Sequence, residues 1–428
     1  MERIRLAIIC HFSSLLIREQ LKLFSSEQYQ YKDFGLWNVN IINELKGRED
    51  IELHVIAPHP GMRHATQEFQ MDGVTYHFFR KELPAPWAGW EYRFFPQSKR
   101  GYPRNRRYVK RFIREIKPDL VNLIGAENPY YSTAALDIMD IPIILHCQTV
   151  YANPDRKKNT SGIDSRRWET ELKLFHHIPY IACTGRMYYD LIKGYEPNAI
   201  IFPRKWPGSK FPDIKDVAKK YDFVYFARML NKNKGFDNAI EAIAIALRKH
   251  PEIKILAVGS WDRDREILEK RMEELGLKDK LEIHPSFPEY TDMLQYVKQS
   301  RYALLPIKMD VLSGTILEAM RMGMPVVTCR TSGTPSLNKD RETVLISDIG
   351  DNEALAANML RLYEEDGLAA KLRENAAQYI REKDELNAHN VDAMVAQYKA
   401  VIAHYREGKP IPNELLYNTE ENIDYRKQ

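Results

Sequence analysis

Long uncharged runs are missing from this chain. No stretch approaches the roughly 20 consecutive apolar residues that a helix needs to cross a bilayer. The opening Met-Glu-Arg-Ile-Arg-Leu-Ala-Ile-Ile-Cys carries an apolar run shorter than a signal peptide requires, and it reads as a first buried strand. Cysteine is scarce: Cys10, Cys147, Cys183 and Cys329 are scattered, and no pair has metal-ligand spacing. Buried, reduced thiols of a cytosolic protein fit that pattern better than disulfides or zinc. No Gly-x-Gly-x-x-Gly follows the first strand, which argues against a dinucleotide-dependent oxidoreductase. Internal repeats and low-complexity tracts are also missing.

What is present is a globular composition, 44% hydrophobic and 29% charged over 428 residues. That length exceeds one ordinary core, so two domains of roughly 200 residues are expected. The net charge of +4 is unevenly spread. Between Arg80 and Lys117 stand 12 Lys/Arg against 3 Asp/Glu, so the rest of the chain is net acidic.

Short β-branched runs alternate with amphipathic stretches. Strands are expected at Ile4–Cys10, Glu52–Ala57, Leu120–Ile124, Ile141–His146 and Tyr180–Cys183, with helices such as Trp37–Lys46 and Tyr108–Lys117 between them. After Pro212 the alternation restarts with Tyr221–Phe226 and continues through Tyr302–Leu305. Two such series predict two doubly wound α/β domains with parallel sheets, joined near Phe202–Pro212. The expected boundaries are 1–207, 208–400, and a segment 401–428 crossing back to the first domain.

The most informative stretch is Asp310-Val-Leu-Ser-Gly-Thr-Ile-Leu-Glu318, followed by Ala-Met-Arg-Met-Gly-Met-Pro-Val-Val. Ser313 and Thr315 can cap a helix, Gly314 lets a ligand approach the backbone, and Gly323 with Pro325 ends the helix before a buried strand. Such a helix mouth suits an anionic group, and Glu318, about one turn in, can reach sugar hydroxyls there. The blander alternative is a capped helix with a solvated Glu. Earlier, a strand expected to end near Ala227 leads into Arg228 and Lys234-Gly235, two cations placed to clamp a diphosphate.

These motifs resemble the nucleotide-sugar domain of GT-B glycosyltransferases, specifically the retaining group often called family 4. The matching features are Arg228 with Lys234-Gly235, the Val258-Gly259 turn, the acid-x7-acid spacing of Asp310 and Glu318, Gly323-Met-Pro-Val-Val, and Gly333-Thr-Pro335. Two departures stand out: Asp310 replaces the usual Glu, and Val311-Leu312-Ser313 replaces a Gly-Phe-Gly. The resemblance implies two facing Rossmann-like domains with a cleft between them. It also implies transfer of a sugar from a nucleotide diphosphate donor, UDP being the expected nucleotide, with retention of configuration.

By the same resemblance, Arg228 and Lys234 hold the diphosphate, and Ser313, Gly314 and Thr315 complete its binding. Glu318 holds the ribose, Asp310 faces the donor sugar, and Gly259 and Phe287 line the nucleotide. In the first half Gly35 takes the place of a glycine-rich loop, His146 ends a strand near the anomeric carbon, and Glu127-Asn128 contact the acceptor. No metal or other cofactor is expected, since fixed cations neutralise the diphosphate and no Asp-x-Asp stands at a strand end.

The acceptor implied is a glycan or lipid-linked saccharide. In the basic segment Trp87, Trp90, Tyr92, Phe94, Phe95, Tyr102 and Tyr108 interleave with Arg and Lys. This fits an anionic membrane surface, or a packed charged face; single-stranded nucleic acid is the least favoured partner. The expected location is the cytoplasm, with peripheral attachment to the inner face of the cytoplasmic membrane. The competing functions are a phosphorylase or epimerase on the same architecture, and a non-catalytic glycosyltransferase-like scaffold.

Overall fold

The computed structural model describes residues 3–23, 33–83, 87–94, 97–154, 162–208, 211–287 and 289–420. The chain divides into two compact units, Met1–Ser209 with Asn387–Asn422, and a second built from Lys210–Leu386.

In the first unit, β1 (Ile4–Ile9), β2 (Ile51–His59), β3 (Thr66–Met71), β4 (Val74–Arg80), β5 (Leu120–Ile124), β6 (Ile143–His146), β7 (Tyr180–Cys183) and β8 (Ile200–Pro203) make one sheet. Its order is β3-β4-β2-β1-β5-β6-β7-β8. The central strands are parallel and apolar along their length, as strands covered on both faces must be. Among the described residues of this sheet only β3 runs antiparallel, on β4. The two are joined at Asp72-Gly73, both with φ in the left-handed region that such a tight hairpin demands. The strand pattern read from sequence omitted this hairpin, because β3 (Thr-Gln-Glu-Phe-Gln-Met) is a mostly polar edge.

The helix Asn390–Glu407 packs Met394, Val395, Tyr398 and Val401 into this unit's core. The buried Asn122 Nδ2 donates to Tyr398 Oη at 2.7 Å, and Lys399 and Arg406 pair with Asp50 (2.9 Å) and Asp119 (2.7 Å). The chain therefore rejoins the first unit from Asn387, earlier than the residue 401 read from sequence.

The second unit is a six-stranded, all-parallel sheet of β9 (Tyr221–Leu230), β10 (Ile255–Trp261), β11 (Leu281–His284), β12 (Ser300–Leu305), β13 (Val326–Cys329) and β14 (Leu345–Ser347). Its order is β11-β10-β9-β12-β13-β14. In both sheets the winding reverses beside the first strand: β1 lies between β2 and β5, and β9 between β10 and β12. The carboxyl ends of the strands at such a reversal are where open α/β sheets bind ligands. The four cysteines are buried and unpaired. No described helix is long and apolar enough to cross a membrane.

Candidate functional site

At the reversal in the second sheet, β9 runs on to Leu230, past the end near Ala227 expected from sequence. Arg228 therefore sits on the strand and not in the turn. It is exposed and has no hydrogen-bond or ion-pair partner among the described residues. The turn comes next, over Lys232–Lys234, where Asn231 Oδ1 accepts from Lys234 N (2.9 Å) and Asn231 Nδ2 donates to Asp262 (2.9 Å). Gly235 has φ +78°, and a Cβ there would overlap the Pro306 carbonyl at the end of β12. Only glycine permits that close approach. The approach brings Lys234 Nζ to 2.6 Å from Asp310 Oδ2. The expected diphosphate cation and the expected sugar-facing acid are thus partners of one another.

The helix Gly314–Arg321 follows, with Ser313 as its N-cap residue. Ser313 and Thr315 do not cap it as the sequence suggested; their hydroxyls bond each other at 2.9 Å. The first-turn N–H groups are left without a side-chain cap, beside an unobstructed Gly314 whose nearest neighbour is Glu318 Oε1. The glycine-poor loop before this helix is pinned by Thr331 Oγ1, which donates to Val311 O at 2.5 Å, and by Gly333 packed under the same carbonyl. Glu318 Oε1 accepts from Tyr290 Oη at 2.7 Å. Burial raises the Glu318 carboxyl above the ordinary range, while the Tyr290 hydrogen bond opposes that shift. Tyr290 was missed in the sequence, being 28 residues away on another helix. Gly259 packs against the Ala227 carbonyl where the β9–β10 register shifts. Beyond β11, Phe287 stacks on His284 with ring centroids 4.3 Å apart, and Ser286 Oγ meets Ser260 Oγ at 2.5 Å.

At the reversal in the first sheet, β1 and β5 deliver His11 and Gly125–Asn128. Gly35, φ +64°, lies so close to the His11 carbonyl that a Cβ would overlap it, and Asn38 Nδ2 donates to that carbonyl at 2.8 Å. Glu127 and Asn128 are largely buried, with Asn128 Nδ2 donating to Glu127 Oε1 at 3.0 Å. Tyr131 joins them through its hydroxyl. His146 is fully enclosed, edge-on to Trp206 and tilted on Tyr398, and neither ring nitrogen has a hydrogen-bond partner among the described residues. Burial, with Arg204 adding to it, lowers its pKa to about 3. In this arrangement it is a neutral ring with no surface to offer a substrate, unlike His11, which the sequence reading passed over.

In the basic segment the helix Pro103–Ile116 starts five residues before the Tyr108 expected from sequence, with Pro103 in its first turn. Val109, Phe112, Ile113 and Ile116 are buried. Arg107, Lys110, Arg114 and the C-capping Lys117 line the exposed side at helical spacing, without hydrogen-bond or ion-pair partners among the described residues. Arg104 and Arg106 are used internally, pairing with Glu91 and Asp137 at 2.7 Å. Trp87 and Phe94, on the helix Trp87–Phe94, are exposed. The side chains of Trp90 and Tyr92, and Phe95 altogether, lie outside the described residues.

Residues 209–379 match the family model for glycosyl transferases group 1. Over 144 residues the chain is 26% identical to a lipopolysaccharide core biosynthesis glycosyltransferase of Rhizobium meliloti, covering 33% of this chain and 40% of that one. The match thus spans less than half of that relative's length. Sucrose-phosphate synthase of Thermosynechococcus elongatus superposes with a TM-score of 0.67 at 14% identity, over 94% of this chain and 100% of that one. An Anabaena protein solved in complex with UDP and glucose gives a TM-score of 0.59 at 12% identity, over 93% and 99% of the two chains. Together with the two wound sheets, these likenesses establish a GT-B fold, whose residues 209–379 match the group 1 glycosyl transferase model.

Proposed function

We propose that the chain is a retaining glycosyltransferase that moves a sugar from a UDP-sugar to a glycan or lipid-linked saccharide, in the synthesis of a cell-surface polysaccharide or glycoconjugate. The observation that carries this reading is the set of groups at the second sheet's reversal. These are a free cation at Arg228, the Lys234–Asp310 pair, the uncapped mouth of Gly314–Arg321, and Glu318 one turn inside. Diphosphate oxygens suit the cations and the helix N–H groups, and the Glu318 carboxylate suits two ribose hydroxyls.

With charge neutralised by Arg228 and Lys234, the leaving diphosphate needs no divalent ion, so transfer proceeds in the presence of a chelator. Asp310 orients the donor sugar. In a front-face reaction the leaving phosphate oxygen takes the acceptor's proton as the new bond forms. UDP is favoured because the Anabaena neighbour was solved with it. The lipid-linked acceptor is favoured by the relative's name and by the exposed cations of Pro103–Ile116, which suit anionic headgroups at up to about 1 kcal/mol each.

Thermal denaturation with a panel of nucleoside diphosphates and their sugars tests the donor site. A ligand at about 100 times its Kd adds about 2.7 kcal/mol. A shift with UDP that disappears in Glu318→Ala supports the reading; silence from every nucleotide at millimolar concentration refutes it. Donor binding without donor consumption across a broad saccharide panel would instead favour a non-catalytic partner.

A further inference from the structure

At the first sheet's reversal the hydrogen-bond directions fix the state of one histidine. Tyr131 has a single hydroxyl proton, and it is committed to the Ile124 carbonyl at 2.7 Å. Toward His11 Nδ1, 3.2 Å away, the phenol oxygen can therefore only accept. Nδ1 carries the hydrogen, and Nε2 is left as a bare lone pair. Nε2 has no partner among the described residues and is not sealed from solvent, the residue being partly exposed. Burial, reinforced by Lys81 and Arg167, lowers the pKa to about 4, so the ring stays neutral above that pH.

Aromatic rings pack around the imidazole. Phe34 stacks on His11 at 5.6 Å, while Trp37 and Tyr130 present edge-on contacts at 6.4 and 6.1 Å. Trp37 is 40% exposed, leaving aromatic surface open to a ligand. The backbone that carries the ring is also held, because the His11 carbonyl accepts from Asn38 and is crowded by Gly35. An acceptor atom fixed in direction beside open aromatic surface suits a pyranose, which has hydroxyl donors and apolar C–H faces.

We propose that His11 Nε2 accepts a hydrogen bond from a hydroxyl of the acceptor saccharide, whose apolar face lies against Trp37. His11 is then an acceptor-specificity residue, and the proton of the reacting hydroxyl still goes to the leaving phosphate. The proposal rests on the transferase reading above.

The test uses the full chain with UDP present, and methyl α-glucopyranoside, methyl α-mannopyranoside and methyl α-galactopyranoside as probes in saturation-transfer difference NMR. At least one probe is expected to bind wild type. His11→Phe, which keeps a ring but no acceptor atom, weakens that probe roughly tenfold and leaves the UDP-induced thermal shift intact. His11→Gln, whose amide oxygen can accept, recovers part of the loss. Histidine ¹⁵N spectra show Nδ1 protonated and Nε2 bare at neutral pH in wild type, a signature that a purely packing role does not require.

Unchanged probe binding in His11→Phe, no probe binding to UDP-loaded wild type, or the opposite tautomer would each overturn the proposal while leaving the donor reading standing. Should His11→Phe lose its fold, the tautomer and the His11→Gln titration decide. If wild type fails to bind any nucleotide, the transferase reading has failed first.

Discussion

Asp310→Asn separates donor binding from donor use. Lys234 Nζ and Asp310 Oδ2 are 2.6 Å apart, but their side chains are 35% and 33% exposed. Solvent screening at that exposure holds such a pair to no more than about 1 kcal/mol. Neutralising Asp310 should therefore lower unfolding stability by less than about 1 kcal/mol. Two effects favour UDP in the variant: Lys234 no longer shares its charge, and a carboxylate no longer faces a diphosphate. The gain is capped by the same value, so UDP binds up to about fivefold tighter. Lys234→Ala goes the other way, losing a charge-assisted bond of about 1.5–3 kcal/mol and weakening UDP about 10- to 150-fold. Sugar transfer is expected to fall in both variants, since the proposed role of Asp310 is to orient the donor sugar. Titration calorimetry with UDP, alongside donor-consumption assays, reads both quantities. If Asp310→Asn weakens UDP as much as Lys234→Ala does, the pair acts as a structural unit and the roles given to it are wrong.

Three further outcomes can be checked on purified protein. Glu318 has a raised folded-state pKa, so its contribution to stability is greatest below the ordinary value of 4.5 and is lost as pH rises through the raised value; Glu318→Gln should flatten that loss in pH-dependent melting while weakening UDP, and an unchanged slope would contradict the burial argument. Gly235→Ala combines a left-handed φ with an overlap on the Pro306 carbonyl, so it should cost about 3 kcal/mol or more in urea unfolding, and a cost under about 1 kcal/mol would mean that this turn relaxes freely. Tyr398→Phe strands the buried Asn122 amide that donates to it, so a loss of about 1–3 kcal/mol is expected, and a neutral result would show that the amide finds another partner.

The parallel strands were legible because strands covered on both faces read as β-branched runs, and β5 and β7 fall where the sequence put them. The hairpin β3–β4 was not, since a polar edge strand lacks that signal, although the Asp72-Gly73 dipeptide announces its turn. Arg228 was misplaced by a few residues of strand length. The proposed donor motif was readable for a related reason: Asp310, Gly314 and Glu318 lie within one loop and helix, so their spacing in sequence is nearly their spacing in space.

The rest of both sites depends on partners far along the chain. Lys234 meets Asp310 across 76 residues, Glu318 meets Tyr290 across 28, and His11 meets Tyr131 across 120. No local spacing encodes such pairs. The first and last follow from the winding reversals, which bring together the ends of β9 with β12 and of β1 with β5, whereas Tyr290 and Glu318 lie on the helices that follow β11 and β12. Topology also explains why the two first-half histidines differ in exposure. His146 lies within β6, where its side chain is packed in the core against Tyr398. His11 lies just past the end of β1, where the backbone has left the sheet and a ring can meet solvent. A strand-end histidine is therefore better judged by its place relative to the last paired residue than by the apolar run before it: β1 makes its last pair at Ile9, two residues before His11, whereas His146 is itself paired to Ile124.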